Sequence, residues 1–508
     1  MEGVEDSQCS ARGARAAGHD GFVRPAPTGG VVAAGALALG AALALRLWML
    51  HWLFEVNGDS LVYGGIAKNL LLHGRYALTA GDGQMYPTLL RLPGYPFFLA
   101  ACFRVFGIEN YFAACCVQIA LDLAGCVLLA DFARRAARGV RPGDERFARR
   151  AGWATLWLAA LCPFTASYAA APLAEAPTLF TLALAMWAMA LFCEQSSPDS
   201  RDRNGRGADR RQWASALAFT FAVTWAALLR PDGALAAVAF APAMAAGAWR
   251  ERRKSAAWIA AVCTLMALAP FAAWTARNWR VFHVFQPLAP RTAADPGENT
   301  QPGFERWVRT WCLDFTSTYD IYWNVPDGPL DMSRLPARAF DSEAQRAETA
   351  AVVGQYNAAD YNLTPAVDAG FARLAQERIA ARPLRYYLWL PLGRVADMWL
   401  RPRVENLPID LDWWMYSHHH AETRLSWFYA ALNAAYLLLA AVGLWLRPRF
   451  RRPLLAYMLL RSALLLTVNA PEARYTLECF PMLFALAGTA LAAGMGRGLR
   501  LRGIPVDI

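Results

Sequence analysis

The chain has 508 residues, is 56% hydrophobic and only 18% charged, against about 25% charged residues in an ordinary soluble domain. That composition excludes a soluble enzyme and a disordered chain, and apolar runs recurring from end to end indicate a multi-span membrane protein. The formal charge of +10 does not indicate nucleic-acid binding. The arginines lie in short clusters between apolar runs, where they act as topology signals.

In chain order, residues 1–30 are polar and read as a cytoplasmic N-terminal segment. The apolar run from Val31 to Phe54 is too long for a cleaved signal peptide and reads as a first span. Further spans are expected at 111–133, 151–171, 174–193, 213–229, 233–249, 255–275, 425–446, 454–470 and 475–495. The short aromatic- and Pro-rich segments 92–107 and 385–400 could also be counted as spans. The loop 134–150, with seven arginines, would then lie outside. Reading both segments as interfacial or re-entrant helices puts 1–30, 134–150, 194–212, 250–254, 447–453 and 496–508 in the cytoplasm, as the positive-inside rule prefers. The expected fold is therefore an all-α polytopic membrane protein with about ten transmembrane helices. It divides into a seven-span module at 31–275 with an external loop at 55–110, a large external region at 276–424, and a C-terminal three-span module at 425–508 with a cytoplasmic tail. Only Lys68 and Lys254 are lysines, and this arginine bias in an Ala-rich chain points to a GC-rich bacterial source.

In the first external loop, Leu61, Ile66, Leu70 and Leu71 fall near helical spacing, as in a helix lying on the membrane surface. Asp59 starts this helix, one turn from Tyr63. It could be an N-cap, because a carboxylate accepts the unpaired amide protons there, or it could do chemistry. Within the spans, Arg46, Asp122 and Arg461 are charges at membrane depth, which are costly and read as buried structural pairs, with proton relay as the rival. The triplet His418-His419-His420 cannot share one face of a helix or strand and reads as an exposed loop; no Cys/His/Asp set has metal-ligand spacing. Trp413 and Trp414, beside Asp410 and Asp412, suit either an interfacial anchor or a stacking surface for a sugar ring. No nucleotide-binding loop or nucleophile elbow appears.

The order G-D-S-x-x-Y-x-x-x-A at Gly58, G-R-Y at Gly74 and R-x-P-G-Y-P at Arg91 resembles the membrane glycosyltransferases with the GT-C fold. More narrowly, it resembles the family 39-like branch of protein O-mannosyltransferases, aminoarabinose transferases and lipopolysaccharide-core galacturonosyltransferases. Pro172-Leu173-Ala174-Glu175, Leu229-Arg230-Pro231, Ala276-Arg277-Asn278 and Glu472-Ala473-Arg474-Tyr475 continue the likeness. The resemblance implies transfer of a sugar from a polyprenyl-phosphate-linked donor to a lipid, glycan or protein acceptor. The site would face the periplasm or cell exterior from the inner membrane. It implies Asp59 as catalytic base and Glu175 as a second functional acid. Ser60 replaces the second acid that many members carry next to the base, which counts against the protein-mannosylating branch. Arg91-Leu92-Pro93 stands where the aminoarabinose branch has Lys-Pro-Pro, so phosphate binding passes to Arg91.

Displacement at an anomeric carbon needs a base for the acceptor proton and cations for the leaving phosphate. Arg91, Arg277 and Arg474, near expected membrane boundaries, are the candidate phosphate ligands. Tyr63, Lys68, Tyr95, Trp413 and Trp414 are candidate substrate contacts. No cofactor is expected, metal dependence stays open, and the partners are membrane lipids and substrates rather than nucleic acid. The alternative is a transporter or flippase for a lipid-linked substrate, disfavoured because no paired repeat is visible.

Overall fold

The computed structural model describes residues 29–196, 205–251, 254–290, 294–296, 300–411 and 419–501. Among them the chain is nearly all helix, with a single two-stranded sheet. Seven helices are long and apolar enough to cross a membrane: Val32–Leu53, Tyr111–Ala137, Glu175–Gln195, Arg210–Leu229, Ala257–Phe282, His420–Trp445 and Ala473–Met495. The chain is a multi-pass membrane protein.

Three of the ten expected spans form helices that fall short of that length. Glu145–Ala160 stops before Pro163, and Pro163–Ala169 follows as a separate turn. Proline has no N–H to continue the ladder, and it holds the residue before it extended; Cys162 has ψ 112°. Leu235–Glu251 contains Pro242, and Arg451–Leu465 has 15 residues. A 15-residue helix is about 23 Å long, less than the roughly 30 Å hydrocarbon core. All three still belong to the bundle: Thr155 Oγ1 donates to Phe484 O at 3.3 Å, and Phe240 stacks on Tyr457 at 5.7 Å. Pro163 divides the first of these apolar windows, whereas Leu235–Glu251 runs unbroken through Pro242.

The segment 55–110 carries both expected surface helices, Asp59–His73 and Gly94–Phe106. Between them runs a hairpin, Ala77–Thr79 with Met85–Pro87 in antiparallel register Leu78↔Tyr86, which the apolar pattern did not show. Gly58 turns the chain into the first helix at φ +46°, a conformation that favours glycine. Gly94 lets the second helix meet the end of Arg210–Leu229, where a Cβ would lie 2.5 Å from the Leu228 carbonyl carbon.

Helix Ala257–Phe282 runs seven residues past the expected boundary at 275, through Arg277 and Asn278. Beyond it, Pro302–Arg309, Glu343–Ala358 and Pro365–Ala381 enclose their own core of Phe304, Trp307, Trp311, Tyr356, Phe371 and Leu374. The long helices set two ends to the bundle. Tyr111 packs against Phe103 of the 55–110 segment. At the far end of its helix, about 40 Å away by helix rise, Arg135 pairs with Glu194. Glu175 begins the helix whose last turn holds Glu194.

Candidate active site

The carboxylate of Asp59 does not cap the helix it begins. The N-cap position is Gly58, and no side chain makes a capping hydrogen bond there. The first turn is closed by backbone bonds instead, Ser60 N to Asn57 O at 2.9 Å and Leu61 N to Gly58 O at 3.2 Å. The Asp59 side chain turns to Arg91, which donates a short hydrogen bond to it, and to Arg474, whose Nη2 lies 3.3 Å from Oδ2. Burial alone would push this carboxyl up, but the two guanidiniums prevail and hold it below the usual aspartate range.

The cluster extends away from Asp59. Arg474 also meets Glu472 at 2.5 Å and Glu175 at 3.6 Å. Arg230 meets Glu175 at 3.0 Å, Glu478 at 3.2 Å and Asp232 at 3.5 Å. Burial disfavours its charge, yet Asp232, Glu478 and Glu175 raise its basicity well above the ordinary value, so it stays protonated. Arg461 closes the far end on Asp232 and, at 3.1 Å, on Glu478. Tyr475 donates to Glu472, and Tyr457 donates to Glu478 at 3.1 Å. Side chains this buried persist as ions only because each is paired. The local folding that presents them is simple. Glu175 opens its helix, where an acid suits the dipole. Pro231 starts the 3₁₀ turn Pro231–Ala234, and Arg474 and Glu478 sit on the 3₁₀ turn Ala473–Cys479.

Two cavities meet this cluster. The larger, about 1240 Å³, is lined by Asp59, Glu472, Arg474, Tyr319, Trp323 and Glu405, among others. Burial pushes the Glu405 carboxyl up, and Tyr168 Oη donates to it at 3.4 Å. The smaller, about 710 Å³, is lined by Arg230, Asp232, Arg306, Arg309 and Tyr475. Glu472 lines both.

Of the residues singled out in the sequence, Asp59, Glu175, Arg91 and Arg474 converge. Tyr63 joins them at the edge, with the Arg91 guanidinium 5.7 Å from its ring centre. Tyr95 is fully buried, edge-on to Tyr63 and hydrogen-bonded to Gln118 at 2.6 Å, so it packs the scaffold rather than facing a cavity. Lys68 pairs with Glu109 at 3.1 Å on the exposed surface, outside the cluster. Arg277 stands apart as well. Its two Nη atoms donate to Thr88 O and Tyr76 O at 2.8 Å, and its plane lies against Trp274, Tyr76 and Phe282. That guanidinium ties the hairpin segment to its helix, so the phosphate role expected of it is withdrawn. Asp82 sits in the hairpin turn, accepting from Gln84 N at 2.9 Å. Trp413, Trp414, Asp412 and His418 lie outside the described residues. His419 contacts Glu422 at 3.1 Å. Among the described residues, no group of three or more His, Cys, Asp or Glu side chains could hold a metal ion.

Arg230 and Glu472 belonged to motifs already noted in the sequence, without a role; their place in those motifs was the available signal. Asp232, Glu478 and Glu405 carried no such mark.

No family model matches the chain, and no curated protein matches it. Among solved structures it is similar to the oligosaccharyltransferase of Archaeoglobus fulgidus tethered to an acceptor peptide containing the NVT sequon, with 12% identity, a TM-score of 0.48, and coverage of 94% of this chain and 51% of that one. It is similar to the archaeal oligosaccharyltransferase AglB from the same organism in complex with an inhibitory peptide and a dolichol-phosphate, with 12% identity, a TM-score of 0.45, and 93% and 51% coverage. It is also similar to ArnT from Cupriavidus metallidurans in the apo state, with 16% identity, a TM-score of 0.36, and 93% and 80% coverage. The chain spans about half the length of the oligosaccharyltransferases it matches.

Proposed function

We propose that this protein is a membrane glycosyltransferase that moves a sugar from a polyprenyl-phosphate-linked donor to an acceptor hydroxyl, with Asp59 as general base. One observation carries the reading. A carboxylate at a helix start, free to cap, instead lies between two arginines from distant parts of the chain, on the wall of a large cavity.

The chemistry follows from the charges. The acceptor oxygen attacks the anomeric carbon while its proton passes to the Asp59 carboxylate. The bond from that carbon to the phosphate oxygen breaks, and its electron pair leaves on the polyprenyl phosphate. No redox step is involved. The leaving group needs positive charge, which Arg91 and Arg474 supply beside the base. Both guanidiniums hold Asp59 in its weakly basic form. As phosphate oxygens take up those donors, the carboxylate loses hydrogen bonds and gains basicity, so proton removal is tied to donor binding. Glu175 is a positioning residue in this reading: 3% exposed, it holds Arg230 and Arg474 rather than facing the cavity.

The site end of the bundle faces the periplasm or cell exterior of a plasma (inner) membrane. The seven-arginine loop 134–150 lies at the opposite end of helix Tyr111–Ala137 and supports this orientation. The test is transfer itself. Purified protein in liposomes, given short-chain polyprenyl-phosphate sugars labelled in the sugar and a cell-envelope acceptor fraction, is expected to move label to acceptor. Absence of transfer from every lipid-linked donor, with the protein folded, contradicts the reading.

A further inference from the structure

The larger cavity carries a feature that the transfer chemistry does not use. Phe315, Tyr319 and Trp323 recur every four residues along a helical segment, which places them on one face. Their rings contact one another, Phe315 to Trp323 at 5.4 Å and Tyr319 to Trp323 at 5.8 Å. All three line the cavity, yet Tyr319 is 53% and Trp323 45% exposed. A core would bury such rings; here two of them present open surface to a space with Asp59 on its wall.

The polar lining has its own bias. Glu55, Asp320, Glu405 and Asp410 join Asp59 and Glu472 there, and these carboxylates outnumber the guanidiniums of Arg334 and Arg474. Of those two, Arg334 stands 3.5 Å from Asp320, and Arg474 is shared between Asp59, Glu175 and Glu472. An acceptor bearing phosphate or carboxylate would enter against a negative field. A neutral molecule rich in hydroxyls would not, because carboxylates accept hydrogen bonds from hydroxyls well. The amide of Asn406, on the same lining, could donate in return; its Nδ2 is buried without a hydrogen-bond partner, and buried polar groups normally have one.

We propose that this cavity binds a neutral carbohydrate as the acceptor, with a sugar face laid on Tyr319 and Trp323 and its hydroxyls held by the carboxylate lining, so that one hydroxyl reaches Asp59. This rests on the glycosyltransferase reading and names its acceptor class. The aromatic face takes the C–H surface of a pyranose ring, as aromatic rings take other apolar surfaces. The smaller cavity lacks this carboxylate excess, since Arg230, Arg306 and Arg309 are matched there by Asp232, Glu305 and Glu472.

The test measures binding, not turnover. Full-length protein in lipid nanodiscs is titrated with neutral hexose trisaccharides and with the same trisaccharides bearing a phosphate monoester. The neutral compounds are expected to bind, and the phosphorylated ones at least about tenfold more weakly. Tyr319→Ala and Trp323→Ala should each weaken neutral binding about tenfold, and Trp323→Phe, which keeps a ring, should recover most of it. Melting temperatures of the same samples separate misfolding from lost contact. Equal or tighter binding of the phosphorylated compounds overturns the proposal. So does failure of any neutral trisaccharide to bind, or unchanged binding in both alanine variants, which would leave the rings as membrane-interface anchors. The two readings fail separately. Normal trisaccharide binding by the unaltered protein without transfer from any lipid-linked donor would sink the enzyme and spare the binding site.

Discussion

Two arginine–aspartate pairs in this molecule are alike in chemistry and differ in their surroundings. Arg46 and Asp122 meet at 2.5 Å between helices Val32–Leu53 and Tyr111–Ala137, with side chains 0% and 7% exposed. The rest of the Arg46 fork donates to Ala42 O at 3.1 Å, Ala160 O at 2.6 Å and Ala159 O at 3.1 Å. The last two carbonyls end the helix that Pro163 prevents from continuing. The pair therefore satisfies a helix terminus at membrane depth, where unsatisfied carbonyls are costly. Asp59 with Arg91 and Arg474 is also largely enclosed, but its side chains are 28%, 27% and 20% exposed and it borders a cavity of about 1240 Å³. Arg91 Nε has no hydrogen-bond partner. A pair whose donors are all engaged by the fold is structural; one with donors to spare beside a cavity is poised for a ligand.

The largest effect that could break this contrast lies in the structural pair. Arg46→Ala leaves Asp122 buried and unpaired and frees two helix-end carbonyls, a loss of about 3–5 kcal/mol of stability. Denaturation in detergent should show it, while turnover per folded molecule stays near that of the unaltered protein. A normal midpoint with lost turnover would make Arg46–Asp122 the functional pair. Next comes Arg474→Ala, which removes a charge-assisted contact worth about 1.5–3 kcal/mol. Binding of a polyprenyl-phosphate analogue should weaken accordingly, and Arg91→Ala should do likewise. Arg277→Ala sharpens the contrast, because its guanidinium holds Thr88 and Tyr76 rather than Asp59. Hydrogen exchange should quicken around 76–88 with analogue affinity unchanged; a matching loss of affinity would restore Arg277 to the phosphate site. Smallest is Lys68→Ala, an exposed pair with Glu109 worth at most about 1 kcal/mol and without effect on transfer.

A pH series gives the same contrast another axis. Asp59 titrates below the ordinary aspartate value of about 3.9, held there by Arg91 and Arg474 against burial. The base form should therefore persist as pH falls to that value, with kcat/KM dropping only below it. The sign for stability agrees: what the ionised Asp59 contributes is present above the unfolded-state value and is lost as pH falls through the lowered folded one. An acid limb of kcat/KM near pH 6 would place the working base elsewhere, in a carboxyl raised by burial.

Much of this was legible in the sequence because it is written in local terms. Apolar windows gave the helices, and the arginine clusters gave two distinguishable ends. Asp59, Arg91, Glu175 and Arg474 stood in ordered motifs. What the sequence could not give depends on contacts between distant segments. Asp59 reads equally well as a cap until Arg474, 415 residues away, is seen beside it. Arg277 and Arg474 look alike at membrane boundaries, and only the carbonyls around one and the carboxylates around the other tell them apart. The shortened helix at 145–160 follows from Pro163, which an apolar count passes over. Glu405, Tyr319 and Trp323 belong to no motif, and a four-residue aromatic spacing does not tell a cavity wall from a core.

The central claim is that the Asp59 carboxylate takes the acceptor proton, and replacing it by an amide tests this most directly. Sugar transfer by Asp59→Asn and by the unaltered protein should be compared in the same liposomes with the same polyprenyl-phosphate sugar, with donor-analogue binding measured on each preparation. Since Asp59 makes no capping bond, the amide should not disturb the helix start. Loss of general-base catalysis costs about 10²–10⁴-fold in rate, so the account predicts that fall in turnover with donor binding retained. Asp59→Asn that folds, binds donor and keeps most of its turnover would contradict it.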